Sequence, residues 1–481
     1  MSTFIHWLQP SRIAARHRVT SHRALGTCLL LPYSRFLSIL SCDLGVSGGV
    51  AGCVRCAALR AHHRRMRNTV CVSHRPPESS ARRSLRKGPD AGTSNAERPY
   101  RDAIDKQLAS IVSEPIESLS PYDVFVRMRG AFPSIVWSRL DASARENLNS
   151  QASSGIASQQ SECIPELHPL DFEWYFTPEC AATLVDITCS RRASTLCLGT
   201  PTVAASAVQR GLDAVLVDRN PLVVRRFPTL LRSSQLWLLD VAEAERHLHR
   251  SEVVLFDAPW YVEDACYWFA LAIRLTKANG LIAFPLFPSL VRPSAGAERE
   301  FLLGLAADVG RVTLLENAIS YETPVFESEA LRATGISGFG NWRRGDLVIV
   351  RKRATPGNLP SIRRVREGDS TWRTYVLGRR VVKFRYLPGS RSPCNVLLQP
   401  IPGTADFVYP SVSARDHRRR LIDLWTSRNR VARITDHDSM DTILESLERG
   451  MHLPAAIREV YPSASIDMRA RLEATLTCVF G

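Results

Sequence analysis

Thr195-Leu-Cys-Leu-Gly-Thr200, Ala214-Val-Leu-Val-Asp218, Leu236-Trp-Leu-Leu-Asp240 and Val253-Val-Leu-Phe-Asp257 decide the fold. Each opens with a short apolar run, too brief for a helix, and leaves that run at a glycine or an aspartate. Helical patterns lie between and beside them. One runs from Glu179 to Cys189, one from Val203 to Arg210 with Gly211 as its stop, and one from Val262 to Lys277 closed by Asn279-Gly280. A strand at Leu281–Phe284, a helix through Glu298–Val309, and strands at Val312–Leu315 and Leu347–Val350 complete the pattern. Short apolar strands alternating with helices predict an α/β parallel sheet covered on both faces. Ligands of such sheets bind at the carboxyl ends of the strands, where three of these strands carry an aspartate.

Working outward, the chain of 481 residues is long enough for two or three domains, and its 45% hydrophobic content excludes wholesale disorder. The formal net charge of +15 says little about what the folded part binds. Residues 1–90 hold 15 Lys and Arg against 3 Asp and Glu, which leaves 47 against 44 for the rest. The leader 1–95 is basic and acid-poor and reads as a disordered extension. Its Cys53-Val-Arg-Cys56, His62, His63 and Cys71 lack the second matching pair of a zinc site. Residues 96–167 read as a helical region ending in a polar linker, Asn149 to Glu162. The chemistry-bearing part is 168–353. A Pro-, Gly- and Arg-rich connector follows over 354–412, with a strand pair at Thr374–Leu377 and Val381–Tyr386. The region 413–481 reads as helical, with the basic run Arg415 to Trp425 as a helix carrying either phosphate contacts and a stacking Trp425 or a core Trp425.

No membrane span is expected, because the most apolar early stretch, Leu25 to Leu59, is broken by Arg35, Asp43 and Arg55. The 12 cysteines are scattered and mostly single, the pattern of reduced, buried thiols in a cytoplasmic protein rather than of a disulfide framework.

The strand ends carry the chemistry. Gly199 lets the backbone turn tightly and approach a ligand. Asp218, 19 residues on, stands where a carboxylate meets a ribose diol in dinucleotide-type folds. Asp240 is placed to accept from a purine amino group. Asp257-Ala-Pro-Trp260 is the most specific signal. A carboxylate beside an exposed carbonyl, that of Ala258, accepts both protons of an –NH₂ group and frees its lone pair for attack. Pro259 stiffens the pair, and Trp260 offers a flat stacking surface that Tyr261 extends. The competing reading is a Pro-containing turn with a helix-capping Asp and a core Trp. Tyr321-Glu-Thr-Pro-Val-Phe-Glu327 reads as a lid over the site or as a plain irregular insertion.

Together these residues resemble class I S-adenosylmethionine-dependent methyltransferases, in the amino-methylating branch that includes DNA and RNA N6-adenine methyltransferases. Tyr175-Phe-Thr-Pro178 resembles the block that touches the methionine part of the cofactor. Leu196-Cys-Leu-Gly-Thr200 resembles the first, glycine-bearing motif, and Asp218 its ribose acid. Asp257-Ala-Pro-Trp260 resembles the Asp/Asn-Pro-Pro-aromatic catalytic motif. The sequence departs from the family twice: its cofactor loop has one glycine, and the first catalytic proline is Ala258.

The resemblance covers 168–353. It implies a Rossmann-like class I methyltransferase sheet with helices on both faces, flanked by helical N- and C-terminal regions. It implies S-adenosyl-L-methionine as cofactor, held by Phe176, Thr177, Leu198, Gly199, Thr200, Asp218 and Asp240. The implied catalytic set is Asp257, Ala258, Pro259 and Trp260, needing no metal, with a nucleic acid substrate. The alternatives are a protein lysine methyltransferase, or a non-catalytic binding protein that keeps the fold.

Overall fold

The computed structural model describes residues 97–480 apart from 114–118, 151–163, 172, 190–192, 232–234, 354–371, 388–396, 405 and 411–415. The basic leader, its cysteine pair and most of the polar linker lie outside the described residues.

Four helices come first: α1 (Glu97–Val112), α2 (Pro121–Arg127), α3 (Pro133–Arg139) and α4 (Ala142–Ser150). Ile104, Leu108 and Ile111 fall at i, i+4 and i+7 on α1, and all three are buried. At α2 the Ser120 side chain accepts from the Asp123 amide while the Asp123 carboxylate accepts from the Ser120 amide. This reciprocal cap, with Pro121 at the first turn, fixes where the helix starts.

Seven strands then form one sheet: β1 (Thr195–Leu198), β2 (Ala214–Asp218), β3 (Leu236–Leu238), β4 (Ser251–Phe256), β5 (Thr276–Leu286), β6 (Gly310–Ser320) and β7 (Arg344–Lys352). Their order is β3-β2-β1-β4-β5-β7-β6. The first five run parallel, and β7 is antiparallel to both neighbours. This is the Rossmann-like sheet that the alternating pattern predicts. All four residues of β1 are buried, as a central strand covered on both faces requires. The flanking helices are α5 (Pro178–Thr188), α6 (Pro201–Gln209), α7 (Val262–Leu275), α8 (Ala295–Val309) and α9 (Val325–Ala333).

Two local expectations are corrected. The helix predicted to reach Lys277 stops at Leu275, and β5 starts at Thr276. The buried Lys352 ammonium donates to the carbonyls of Ile273 (2.7 Å) and Thr276 (2.8 Å), so these carbonyls are satisfied without another helical turn. Asn279, at φ 59°, lies within β5, opposite a register shift between Ser251 and Val253. The stretch after Tyr321 is no irregular loop either, since Val325–Ala333 is helical.

The larger correction is C-terminal. Over its described residues, 416–434, the stretch expected as the basic helix Arg415–Trp425 and the start of a helical region holds no α-helix; 413–415 lie outside the described residues. A short 3₁₀ turn (His417–Leu421) leads into β11 (Leu424–Thr426) and β12 (Val431–Ile434). These join β8 (Trp372–Leu377), β9 (Arg380–Arg385) and β10 (Leu398–Gln399) in a second sheet, ordered β10-β12-β11-β9-β8. Only from His437 is the chain helical, in α10 (His437–Glu448), α11 (Leu453–Val460) and α12 (Ile466–Phe480). These helices share a core with Tyr375, Val382, Phe384, Leu424 and Ala432 of the sheet. Trp425 is 0% exposed, with its indole N–H on Asn429 Oδ1 at 2.9 Å. A buried, hydrogen-bonded indole belongs to the core and offers no face to a base.

The segment 164–171 straps this second sheet to the chain that enters the first. The Glu166 amide donates to the Arg379 carbonyl at 2.7 Å, and its carboxylate accepts from Ser427 Oγ at 2.7 Å. Burial pushes His168 well below its ordinary pKa, so the ring is neutral. Its Nδ1 accepts from the Leu170 amide, which assigns the proton to Nε2 and makes that atom the donor to the Trp425 carbonyl at 2.8 Å. Asp171 pairs with Lys383. Among the described residues no helix is long and apolar enough to cross a membrane.

Candidate active site

Register brings the site together. Leu198 pairs with Val217 on one side and Phe256 on the other, so Gly199, Asp218 and Asp257 leave the sheet at one edge, on adjacent strands. They line one cavity together with Asp240, Ala258, Pro259 and Trp260, whose empty space including the open mouth is about 810 Å³. Asp171, Glu173, Trp174, Tyr175, Trp268, Tyr321 and Arg343 also line it.

On the β1–β2 side, Gly199 sits at φ +60°, and a Cβ there would come within 2.9 Å of the Trp268 ring. The glycine is therefore required twice, by backbone conformation and by the indole packed over it. Asp218 accepts the Asn220 amide at 2.8 Å on Oδ1. Burial pushes its carboxyl up to about 6, against the pull of the backbone amides of Asn220 and Arg219. Glu173 is pushed up further, by burial first and then by the facing Asp218 and Asp171. Both Glu173 oxygens accept from Asn220 Nδ2, at 2.9 and 3.0 Å, so one asparagine ties the two acids into a fixed arrangement. Asp240 accepts the Ala242 amide at 2.9 Å, capping the short turn after β3.

At the end of β4, the Tyr321 hydroxyl donates to Asp257 Oδ1 at 3.0 Å. This occupies Oδ1, and Ala258 follows in the same cavity lining. Trp260 is 9% exposed and lines the cavity. The Arg343 guanidinium lies 4.0 Å from its ring centroid, Tyr321 meets it edge-on at 5.6 Å, and Gly345 abuts its benzo ring.

Four residues assigned to the cofactor from sequence stand behind the cavity wall. Leu198 is core. Phe176 packs under Tyr321, with centroids 5.0 Å apart. The Thr177 hydroxyl caps α5 by accepting from the Cys180 amide and shares a hydrogen bond with Ser320. Thr200 precedes α6, with its hydroxyl buried toward the Cys197 thiol. Tyr321 and Arg343 line the cavity beside Asp257 and Trp260 although sequence reading assigned neither to the site. Tyr321 begins the stretch read as a lid but forms a bridge to Phe176. Arg343 just precedes β7, and no local pattern marks it.

Burial pushes Asp257 up to about 7, with the Tyr321 hydrogen bond and the Arg343 charge pulling it down. If ionised Asp257 is the acceptor, turnover is expected to rise with pH through about 7 as its proton leaves. Tyr321→Phe is expected to move that midpoint upward; a flat profile between pH 5 and 9 in both proteins would remove Asp257 from the reaction. Stability carries the opposite sign. The folded chain holds this proton to higher pH than the unfolded chain does, so ionising Asp257 lowers stability as pH rises from about 4 to about 7.

No protein-family model matches the chain, and no curated protein matches its sequence. Among solved structures it is similar to a branched-chain polyamine synthase from Thermus thermophilus (14% identity, 56% of this chain and 96% of that chain, TM-score 0.38). It is similar also to an O-methyltransferase from Bacillus cereus in complex with SAH (13%, 36% and 80%, TM-score 0.25). A third is an rRNA methylase from Streptococcus thermophilus (13%, 37% and 94%, TM-score 0.25).

Proposed function

We propose that the chain is an S-adenosyl-L-methionine-dependent methyltransferase acting on an amino nitrogen, with adenine N6 in DNA or RNA as the target. The observation that carries this reading is the Asp257–Ala258 pair of acceptors, opening into the same cavity as Gly199 and Asp218. Asp257 Oδ2 and the Ala258 carbonyl accept the two hydrogens of an –NH₂ group. That holds the nitrogen in one orientation and draws its lone pair out of conjugation. Tyr321 fixes the carboxylate so that no reorientation is needed during the reaction.

The residues present fit the cofactor. Asp218 suits a ribose diol, Asp240 suits the adenine edge, and the positive-φ Gly199 lets the backbone come close. When bound, the cofactor supplies an electrophilic methyl group. Phe176, Thr177, Leu198 and Thr200 support the wall on which it lies.

Asp218→Ala is expected to weaken cofactor binding by about 1.5–3 kcal/mol, the range of a charged hydrogen bond, measured by isothermal titration. Unchanged affinity would remove Asp218 from the cofactor site. The reading as a whole is tested by transfer of a labelled methyl group from the cofactor to pools of DNA, RNA and protein. Labelling of an adenine is the supporting result, and no labelling of any pool favours the non-catalytic binding protein.

One observation favours a second reading. Asp171, Glu173, Asp218, Asp240 and Asp257 all line the cavity, a lining that attracts an aliphatic ammonium. On that reading the substrate is a lysine side chain, and label appears in the protein pool.

A further inference from the structure

Arg343 lies among aromatic rings at the cavity. Its guanidinium lies 4.2 Å from the Trp174 centroid and 4.0 Å from that of Trp260, with Tyr321 at 5.7 Å. Two indoles clamp the group and a phenol ring closes one side, so its orientation is set before any ligand arrives. Yet its side chain makes no hydrogen bond to any described residue. Glu327, the nearby buried acid, interacts with it through charge alone, because neither of its carboxylate oxygens makes a hydrogen bond among the described residues. The Arg343 side chain is only half-buried, so its donors reach solvent and are open to a ligand that displaces it. The group lines the cavity that holds Asp257.

We propose that Arg343 is the anion receptor of this cavity, taking the carboxylate or phosphate of a bound ligand in its two-pronged fork. A planar guanidinium clamped between rings is preorganised for two parallel hydrogen bonds to such a group. The lining holds several carboxylates and a second arginine, Arg219, beside Asp218; Arg343, next to Asp257 and Trp260, offers an anionic group a place at the other end of the acids. The proposal rests on reading the cavity as a cofactor and substrate site. Two sources share the required chemistry: the amino-acid carboxylate of the cofactor and a phosphate flanking the target nucleotide.

The experiment compares the full-length wild-type chain with Arg343→Ala and Arg343→Lys. Ligands are S-adenosylhomocysteine, 5′-methylthioadenosine, which lacks the carboxylate, and an adenine-containing oligonucleotide. If the anion is the cofactor's, Arg343→Ala weakens S-adenosylhomocysteine about tenfold to a hundredfold and leaves 5′-methylthioadenosine unchanged. If it is a substrate phosphate, both adenosyl ligands bind as before, and the KM for the oligonucleotide rises by a similar factor, read at a pH well above the Asp257 titration so that the lost Arg343 charge does not act through that carboxyl. Arg343→Lys keeps the charge but not the fork, and falls between wild type and Ala in whichever arm responds.

Pyrophosphate titrated by tryptophan fluorescence tests the receptor without any cofactor. Wild-type chain that responds to pyrophosphate through Arg343 but binds neither adenosyl ligand keeps the receptor and sinks the methyltransferase reading. Equal weakening of both adenosyl ligands, or no Arg343-dependent change with any ligand, overturns the receptor.

Discussion

Asp257→Ala is expected to lower turnover by about a hundredfold or more while leaving cofactor affinity nearly intact. The size follows from removing a preorganised polar group whose work is done on the transition state. The selectivity follows from position: Asp257 ends β4, while Asp218 ends β2 on the far side of β1. A single-turnover assay and a calorimetric titration on the same preparation separate the two quantities. Full activity in Asp257→Ala would end the catalytic assignment. Cofactor binding lost as completely as in Asp218→Ala would make Asp257 a cofactor ligand and move the non-catalytic reading to first place.

Trp425→Ala is expected to destabilise the second sheet by about 3–5 kcal/mol, as for other large aromatics removed from a core. The ring meets Tyr409 edge-on at 5.5 Å and the neutral His168 at 6.4 Å. Its loss also leaves Asn429 Oδ1, buried and bonded to the indole N–H, without that donor. The strap through 164–171 loosens with it, so the variant is expected to disturb Glu173 in the cavity without touching it. Chemical denaturation followed by tryptophan fluorescence measures the loss. Arg420→Ala, at an exposed position in the same basic run, is the control and is expected to change stability by no more than about 0.5 kcal/mol. Unchanged stability with weakened nucleic acid binding in Trp425→Ala would return that tryptophan to a surface role.

Much of the site was legible because its signals are local. An apolar strand buried on both faces reads as an unbroken hydrophobic run, and the residue that ends it stands at the sheet edge whatever the rest of the chain does. That is why Gly199, Asp218, Asp240 and Asp257 were found from spacing alone and line one cavity. Boundaries were less legible where a distant residue intervened, as Lys352 does on the last carbonyls of α7.

The basic run before Trp425 misled for a related reason. Its arginines suggest a helix face, but the stretch from Leu424 to Ile434 forms two mostly buried strands of a sheet whose other partners, β9 and β10, lie elsewhere in the sequence.

By itself, then, the sequence determined the parallel sheet and the strand-end acids, with Ala258 following Asp257 after β4, all of which follow from residue order along single strands. Only the tertiary structure decided which side chains face those acids. The antiparallel β6–β7 pair carries Tyr321 and Arg343 back across the sheet edge to Asp257 and Trp260, and Asn220 joins Glu173 to the loop after Asp218. The direction of a side chain between elements is set by what packs around it, and no period along the chain encodes that.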